Sequence, residues 1–427
     1  MANFIDLFCG LGGFHIALKE LGHECVFACE IDQELREVYF SNFGLFPYGD
    51  IRKVAMNEIP SHDILCAGFP CQPFSKAGNQ KGFDHPELGS LYQNIFEIIE
   101  YHQPNFIILE NVSNLVKHKG GDTLGLIRKL LEECGYEVDI SRLSPHQFNI
   151  PQIRNRVYII GSRVGLSEFD WPEPISSKNE TSIFSILEKK PKNPDLLTTQ
   201  DNLILDIWQE FLDHIPENDL IPHPVWAMEF GANYPYVRTT PSQMLLENLK
   251  KYRGALGRPL NNSINMDEIF AKLPSYARRN QIEFPSWKVK YIQRNREFYK
   301  KNKKWIDIWI PKLYPFPQSY QKLEWNVGTG ERNIRKYIIQ KRPSGIRVKN
   351  TTTSPSLIAM TKTQLPFFPW ENRYITPEEG LRLQSMQKLK YLPKSKTSIF
   401  KALGNAVNVE IVKLVAAELL RNNKTGR

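Results

Sequence analysis

The chain has 427 residues, of which 41% are hydrophobic and 24% charged, so it is long enough for two or three domains and has an ordinary globular composition. It contains no apolar run long enough to cross a bilayer, which argues against a membrane protein. The start, Met1 to Asp6, carries no basic segment, so we expect no signal peptide and a cytoplasmic location. The six cysteines show neither a metal-ligand spacing nor a disulfide framework.

The net charge of +9 is unevenly distributed. Residues 238–349 contain 25 Lys and Arg but 8 Asp and Glu, a net charge of +17, and the remainder of the chain carries −8. This asymmetry predicts a polyanion-binding region attached to a separate body. A solvated basic surface without a partner is the alternative, because charge alone does not identify a ligand.

A strand, a glycine-rich turn and a helix open the chain. Phe4 to Phe8 is an apolar strand, the turn runs from Cys9 to Phe14, and a helix is predicted from His15 to Leu21. The spacing is not G-x-G-x-x-G, but glycines in such a turn let the backbone approach a ligand closely. A second strand, Cys25 to Cys29, ends in Glu30, and an acid about 20 residues after the turn suits a ribose hydroxyl. A surface carboxylate is the alternative for Glu30.

A further buried strand, Asp63 to Ala67, leads towards a cysteine. Pro70 ends that strand and places Cys71 at its carboxyl end, where open α/β sheets bind ligands. A cysteine there can act as a nucleophile if its thiolate is favoured, and a buried structural cysteine is the alternative. The polar segment 76–83 that follows predicts a mobile loop and a candidate lid.

Two more strands bring polar side chains to the predicted sheet. Pro104 to Leu109 ends in Glu110, a carboxylate that is costly to bury unless it is paired or used. Residues 152–161 predict one strand with alternating faces. One of these faces carries Gln152, Arg154 and Arg156. Three long donors on one face favour contacts with an anion or a base, and surface salt bridges are the alternative.

The alternation of strands and helices ends at about Trp171. Within residues 288–304, eight Lys and Arg are interleaved with Tyr291, Phe298 and Tyr299, a pattern that suits phosphate contacts and base stacking. A regular pattern of predicted elements resumes near residue 342. We expect Gly49–Ile51 to close a third strand–helix unit. Helices are predicted over residues 33–42, 91–101, 124–134 and 409–420, and a strand over 136–143.

Two signals near the end of the chain mark helix starts. Thr376 is predicted to be an N-cap, with Pro377 in the first turn and Glu379 completing a capping box. Gly404 and Asn405 predict a second turn, which opens the last helix.

Five segments, in this order, resemble the motifs of the DNA (cytosine-5)-methyltransferases of bacterial restriction-modification type. They are Asp6 to Phe14, Gly68 to Gln72, Glu110 to Val112, Gln152 to Arg156 and Gly404 to Val407. The resemblance covers residues 1–163 and about 342–421, and leaves out the part that is variable in that family. It implies a Rossmann-like α/β methyltransferase domain with an inserted, mixed α+β target-recognition domain. Residues 1–170 would form the catalytic and cofactor-binding domain, 171–341 the recognition domain, and 342–427 the segment that completes the catalytic domain.

The resemblance also implies S-adenosylmethionine as methyl donor, S-adenosylhomocysteine as product, and no metal. Glu30 would bind the ribose hydroxyls, Ile31 would lie against the adenine, and Asp50 would bind its amino group. The residues implied to bind the cofactor are Phe8, Gly10, Gly12, Glu30, Ile31, Asp50, Ile51, Pro70, Leu91 and Asn405.

Four catalytic residues follow from the resemblance. The Cys71 thiolate would add to C6 of cytosine, which makes C5 enamine-like, and a protonated Glu110 would stabilise the charge at N3. Arg156 would hold the cytosine O2, and Arg154 would help to position Cys71 or its loop. The base must leave the duplex, at a cost of about a few kcal/mol. The group that removes the C5 proton is not identified, and water is a candidate.

The implied partners are double-stranded DNA and a cognate restriction endonuclease, and the implied state is a monomer. The sequence departs from the family pattern after Asp84, where the usual Arg-Gly pair is missing, and at Ser385-Met386. The arginine of the ninth motif is either Arg342 or Arg347. A catalytically silent DNA-binding regulator and an RNA methyltransferase of the same superfamily are the alternatives, and a Rossmann dehydrogenase fits only the first fifty residues.

Overall fold

The computed structural model describes residues 1–69, 89–216, 219–278, 280–357 and 362–421. The chain divides into two compact units. Unit 1 comprises Met1–Pro191, Thr352–Lys362 and Thr376–Arg427, and unit 2 comprises Lys192–Thr351 and Thr363–Ile375. Every helix within the described ranges is too short or too polar to span a membrane.

Unit 1 begins with the predicted alternation of strands and helices. Its elements are β1 (Asn3–Leu7), α1 (Gly13–Glu20), β2 (Glu24–Cys29), α2 (Gln33–Phe43), β3 (Ile64–Gly68), α3 (Gly89–His102), β4 (Phe106–Val112), α4 (Asp122–Glu133), β5 (Glu137–Leu143), β6 (Gln152–Ile153) and β7 (Arg156–Ser162). The central strands β1, β3 and β4 are apolar and buried along nearly their whole length, which is typical of strands covered on both faces.

Six of these strands form one sheet in the order β2-β1-β3-β4-β7-β5. The pairs β1–β2, β1–β3 and β3–β4 are parallel, whereas β7 is antiparallel to β4 and to β5. The carboxyl ends of the parallel strands therefore meet at one edge, where doubly wound sheets bind their ligands. Glu110 lies within β4 instead of following it, and it pairs there with Gly68 at the end of β3.

The single strand predicted over residues 152–161 is wrong. β6 pairs in parallel with β12 (Ser354–Pro355), whereas β7 begins at Arg156 in the main sheet. The main chain of Ser354 donates to the Pro151 carbonyl at 2.7 Å, which helps to hold β6 on this separate ladder. Arg154 lies in the connection between the two strands. A partner about 200 residues away in the chain cannot be inferred from local alternation.

The third strand–helix unit predicted at Gly49–Ile51 is also absent. Tyr48 makes one isolated bridge to Cys29, and a short 3-10 helix, Ile51–Lys53, follows. The Asp50 side chain starts this turn by accepting a hydrogen bond from the Arg52 amide at 3.1 Å. Local capping therefore takes the place of a strand here.

The last part of unit 1 adds α9 (Pro377–Leu383), α10 (Lys396–Asn405) and α11 (Val409–Leu419). The predicted cap of α9 is confirmed, since the Thr376 hydroxyl accepts from the Glu379 amide at 3.2 Å and the Glu379 carboxylate accepts from the Thr376 amide at 2.9 Å. Gly404 and Asn405 differ from the prediction, because they end α10 and Asn408 caps α11. α11 packs against α1, which joins the two ends of the chain.

Unit 2 combines helices with a second six-stranded sheet. Its elements are α5 (Thr199–Asp213), β8 (Val225–Trp226), α6 (Leu246–Leu249), α7 (Met266–Lys272), α8 (Ser286–Trp309), β9 (Lys322–Asn326), β10 (Ile338–Arg342), β11 (Gly345–Lys349), β13 (Pro366–Phe368) and β14 (Arg373–Tyr374). The sheet order is β14-β13-β10-β11-β9-β8. Among these described strands, β9 and β11 are parallel and the other neighbours are antiparallel. This arrangement makes unit 2 an α+β unit.

The boundaries of the units differ from those predicted at residues 170 and 341. β10 and β11 form a hairpin in which Arg342 pairs with Gly345, so a boundary after residue 341 would divide a strand. Residues 342–351 and 363–375 accordingly belong to unit 2. Both candidates for the ninth-motif arginine, Arg342 and Arg347, lie in this hairpin.

The interleaved aromatic and basic residues of the 288–304 stretch belong to one amphipathic helix, α8. The Phe298 ring packs on Phe211 with centroids 5.9 Å apart, and Tyr291 packs on Trp226 at 5.4 Å. Most of the basic side chains point to solvent. The rings thus serve the core of unit 2, and the predicted base stacking by these aromatics is not supported.

Candidate active site

A cavity of about 470 Å³ lies at the carboxyl ends of the parallel strands of unit 1. This volume is in the range of small-molecule sites. Its wall comes from both ends of the chain, since the turn after β1, the ends of β2 and β4, and α10 all contribute. Eight of the ten residues implied to bind a cofactor line it: Phe8, Gly10, Glu30, Ile31, Asp50, Ile51, Leu91 and Asn405.

The turn after β1 brings the main chain against this cavity. Phe8 and Gly10 both adopt left-handed backbone angles, with φ of 58° and 53°. Such a conformation is strained for Phe8, and strain of this kind concentrates at ligand sites. The Gly10 amide donates to the Glu30 carboxylate at 3.0 Å, which joins the end of β1 to the end of β2.

Gly12 does not line the cavity. Its φ is 80°, and a Cβ built on it would lie 2.4 Å from Cε2 of Phe43 on α2. Glycine is therefore required here because the turn approaches α2 closely. The structure gives Gly12 a packing role, and its implied contact with the cofactor stays a prediction.

The Glu30 carboxylate is fixed by two backbone amides. One oxygen accepts from Gly10 at 3.0 Å and the other from Asp32 at 2.9 Å. Burial raises the pKa of the Glu30 carboxyl, and the two amides oppose this increase by stabilising the anion. Asp32 has a different task, since it caps α2 by accepting from the Glu34 amide at 3.0 Å. Glu30 therefore faces the cavity in a fixed orientation, whereas the Asp32 carboxylate is engaged by the first turn of α2.

Ile31 and Asp50 supply an apolar and a polar contact on the same wall. The Ile31 side chain is 70% exposed although it is aliphatic, which leaves it available to cover a planar ligand. The Asp50 carboxylate forms an ion pair with Arg52, with Nη2 to Oδ2 at 2.6 Å. Hydrogen bonds from the Arg52 guanidinium lower the pKa of the Asp50 carboxyl, so it stays an acceptor.

Sequence reasoning missed one face of α10. Ser398, Lys401 and Ala402 line the cavity together with Asn405. Their spacing of three to four residues places them on the same side of a helix. That spacing, counted back from Asn405, is the signal that could have found them. Lys401 adds an exposed cation to a wall rich in carboxylates.

Glu110 and Arg156 form an ion pair at the edge of the same cavity. Arg156 Nε lies 2.9 Å from Glu110 Oε1, and the two side chains are 16% and 7% exposed. β4 and β7 bring them together, since Arg156 is opposite Val112 in the antiparallel ladder and Glu110 is its diagonal neighbour. Burial raises the pKa of the Glu110 carboxyl, and the guanidinium groups of Arg156 and Arg154 oppose this increase.

Arg154, two residues earlier, contacts a different segment. Its side chain is buried, and Nη2 donates to the carbonyls of Gly404 and Ala406 at 2.9 and 2.8 Å. Nη1 donates to the Ser356 hydroxyl at 3.3 Å. Arg154 therefore contacts the end of α10 that lines the cavity, but its own side chain does not line it.

Pro70, Cys71 and the 76–83 loop lie outside the described residues, so their roles stay predictions, as does the role of Arg154 towards Cys71. Phe69, the last described residue before them, lies in the cavity wall. Its carbonyl accepts from the buried Asn111 side chain at 3.2 Å. The chain is therefore held at the cavity up to two residues before Cys71. In the part of the chain that the structure describes, no group of His, Cys, Asp and Glu is arranged to hold a metal ion.

Comparison with known proteins gives one family. A family model described as C-5 cytosine-specific DNA methylase matches residues 2–421. The type II methyltransferase M.AluI of Cellulosimicrobium cellulans is 30% identical over 99% of this chain and 92% of its own length. M.MspI of a Moraxella species is 45% identical over 172 residues, which are 40% of this chain and 41% of that protein. M.HhaI of Haemophilus parahaemolyticus is 44% identical over 174 residues, 40% of this chain and 53% of the relative.

Solved structures share the fold over the whole length. The S. pombe Dnmt2 methyltransferase matches with a TM-score of 0.51 and 18% identity, over 99% of this chain and 99% of its own. The Entamoeba histolytica methyltransferase EhMeth matches with a TM-score of 0.54 and 14% identity, also over 99% of both chains. At such low identity, the likeness concerns the fold.

Proposed function

Because the chain belongs to the family of C-5 cytosine-specific DNA methylases, we propose that it transfers a methyl group from S-adenosylmethionine to C5 of a cytosine within one short sequence of double-stranded DNA. The observation that carries this proposal is the ion pair of Glu110 and Arg156 on the wall of the cavity that also contains Glu30. This arrangement supports a proposed cofactor site next to a proposed site for the cytosine base.

The lining of the cavity supports S-adenosylmethionine as the cofactor. The Glu30 carboxylate has fixed acceptors for the ribose hydroxyls, Ile31 offers an apolar surface for the adenine, and Asp50 offers an acceptor for its amino group. Asn405 and Leu91 complete the wall. The bound cofactor supplies the methyl group as a sulfonium electrophile.

The side chains around the base would act on cytosine in turn. The Cys71 thiolate forms a bond to C6, and a proton from the Glu110 carboxyl neutralises the charge that develops at N3. Arg156 holds the cytosine O2 while its Nε keeps Glu110 in place. After methylation, a base removes the C5 proton, the electron pair re-forms the C5–C6 double bond, Cys71 leaves as a thiolate, and the N3 proton returns to Glu110.

Unit 2 is the proposed target-recognition domain. On α8, four exposed cations recur at helical spacing on one face, which suits contacts to phosphates of the DNA backbone: Lys290, Arg294, Lys301 and Lys304. The base must be extruded from the duplex before Cys71 and Glu110 can reach it.

We expect the enzyme to act as a monomer. We also expect it to protect DNA from a cognate restriction endonuclease, as the type II names of the curated relatives suggest.

The proposal is tested by incubating the purified protein with labelled S-adenosylmethionine and unmethylated genomic DNA, followed by bisulfite sequencing. We expect methylation of cytosines within one short motif, and none with the Cys71→Ser variant. Incorporation of label into RNA but not into DNA would change the proposed substrate to RNA and leave the proposed chemistry in place. Binding of DNA without any incorporation would favour a silent regulator and contradict the proposal.

A further inference from the structure

We infer that Arg154 is a positioning residue for the cofactor, because its guanidinium fixes the end of α10 that presents Asn405 to the cavity. The inference rests on the proposed function and concerns one wall of the same site. Arg154 does not line the cavity itself, so it would act through the segment it holds.

The contacts of Arg154 bracket Asn405. The carbonyls of Gly404 and Ala406, which flank this residue, both accept from Nη2, at 2.9 and 2.8 Å. These carbonyls lie at the carboxyl end of α10, where the last carbonyl groups of a helix lack partners within the helix. A cation is also favoured at that end by the helix dipole. Arg154 therefore caps α10 from a position about 250 residues earlier in the chain.

Arg154 is itself held on several sides. Its side chain is 2% exposed, and its amide donates to the Ser144 hydroxyl at 3.0 Å. Nη1 donates to Ser356, which follows the short strand β12 that pairs with β6. A planar guanidinium fixed in this way loses little further entropy when it binds two carbonyls. Arg154 is therefore the fixed member of this contact, and it positions the segment around Asn405.

The neighbouring Arg156 shows how a role in cofactor binding can be distinguished from a role in the chemical step. Its ion pair is with Glu110, at the proposed base site, whereas Nη2 of Arg154 donates to carbonyls on the cofactor side. This role is an alternative to the predicted role of Arg154 towards Cys71. If Arg154 acts through α10, its substitution should weaken cofactor binding and leave the chemical step nearly unchanged. A group that acted on cytosine would show the opposite pattern.

The test measures S-adenosylhomocysteine binding by calorimetry, together with KM for S-adenosylmethionine, KM for DNA and kcat. Arg154→Lys keeps the charge but carries its three donors on one nitrogen at the end of a flexible chain. It should hold the two carbonyls less rigidly than the planar guanidinium does, so we expect affinity for S-adenosylhomocysteine to fall about 10-fold. Arg154→Gln should weaken it more, with kcat at saturating cofactor and KM for DNA within about 3-fold of the unchanged enzyme. Partial recovery in Arg154→Lys relative to Arg154→Gln distinguishes positioning from simple loss of folding.

Two controls define the site of action. Arg156→Lys should lower kcat and leave S-adenosylhomocysteine affinity unchanged, and Arg163→Lys, at an exposed position directly after β7, should change neither. In an Asn405→Ala background, the effect of Arg154→Gln on cofactor affinity should largely disappear, because the side chain that Arg154 positions is no longer there.

The inference is overturned if a folded Arg154→Gln binds S-adenosylhomocysteine as tightly as the unchanged protein, or if kcat falls while cofactor KM stays constant. Circular dichroism establishes folding, and Arg154→Lys decides the question by the same criteria if Arg154→Gln does not fold. An unchanged protein that binds S-adenosylhomocysteine but methylates no cytosine would refute the proposed function alone, because the calorimetric comparison needs no methyl transfer.

Discussion

Burial and a neighbouring guanidinium act on the Glu110 carboxyl in opposite directions. Burial favours the neutral form, and Arg156 at 2.9 Å favours the anion, with burial the larger effect, so the pKa is raised. The proposed chemistry needs the neutral acid, because that form can donate a proton at N3. A raised pKa keeps Glu110 protonated further up the pH scale, and kcat should fall as pH rises through it. The folded state holds this proton more tightly than the unfolded state, so stability falls over the same range.

Glu110→Gln tests this assignment. An amide keeps the size of the side chain but cannot donate the proton, so kcat should fall by about 10²- to 10⁴-fold. Affinity for S-adenosylhomocysteine should not change, and the descending limb of the pH–rate profile should vanish. Steady-state kinetics across pH, with calorimetry at one pH, checks both. A variant with nearly full kcat would remove Glu110 from the catalytic set.

Glu30→Gln addresses the proposed cofactor side of the cavity. One carboxylate oxygen becomes an amide NH₂ group, which cannot accept from the Gly10 or Asp32 amide, so one of the two fixed acceptors is lost. We expect S-adenosylhomocysteine to bind about 10-fold more weakly, with little change in kcat at saturating cofactor. Glu24→Gln, at the exposed start of β2, is the matched control. Equal affinities for the two variants would mean that Glu30 does not contact the ligand.

The turn between β1 and α1 is packed closely against α2. Gly12 and Gly22 both have left-handed backbone angles, with φ of 80° and 86°, but a Cβ on Gly12 meets Phe43 at 2.4 Å and one on Gly22 meets nothing within 4 Å. Gly22→Ala should lower the free energy of unfolding by about 1 kcal/mol, and Gly12→Ala by about 1–3 kcal/mol more. Urea unfolding without cofactor measures the difference. Similar losses would show that the turn can move away from α2.

The exposed face of α8 predicts a salt-dependent effect. Replacing Lys290, Arg294, Lys301 and Lys304 by Gln should weaken DNA binding for every sequence, and should reduce the slope of log K against log salt by about 0.9 for each phosphate that the variant no longer neutralises. Lys336→Gln is the control, because Lys336 in unit 2 already forms an ion pair with Glu331 at 2.7 Å. Fluorescence anisotropy at several salt concentrations gives both slopes. An unchanged slope would place the DNA-binding surface elsewhere.

Elements set by local pattern were predictable, and those set by distant partners were not. β1, the glycine turn and α1 follow from an apolar run, glycines and a helical repeat within twenty residues. The separation of β6 from β7 depends on pairing with β12, and the hairpin of Arg342 depends on its neighbours in the sheet of unit 2. In α8, the rings of Phe298 and Tyr291 match a helical period that the basic composition concealed.

The candidate site shows the same division. Glu30 and Glu110 could be predicted because each stands at or near the end of an apolar strand. The separate contacts of Arg154 and Arg156 could not, because the carbonyls that Arg154 binds come from the end of α10 and the residue after it. The face of α10 with Lys401 was missed for a related reason, since helical spacing has functional meaning only once the cavity beside it is known.

At the scale of the molecule, the wall of the cavity is complete only when both ends of the chain fold together. Phe8 and Glu30 come from the first thirty residues, whereas Ser398 and Asn405 come from the last thirty, and all described residues of the wall belong to unit 1. α11 holds these parts together by packing on α1. A ligand in the cavity should therefore stabilise segments that lie far apart in the sequence.

Hydrogen exchange with added S-adenosylhomocysteine measures this effect directly. At 100 times the dissociation constant the ligand should stabilise the folded state by about 2.7 kcal/mol. We expect slower exchange in peptides covering residues 8–14, 29–35 and 398–407, and no change in β9 to β11 of unit 2. DNA added instead should slow exchange in α8, so each ligand serves as the control for the other. Protection limited to the first fifty residues would mean that α10 does not contact the cofactor, and the cavity would then be a site for the nucleoside part alone.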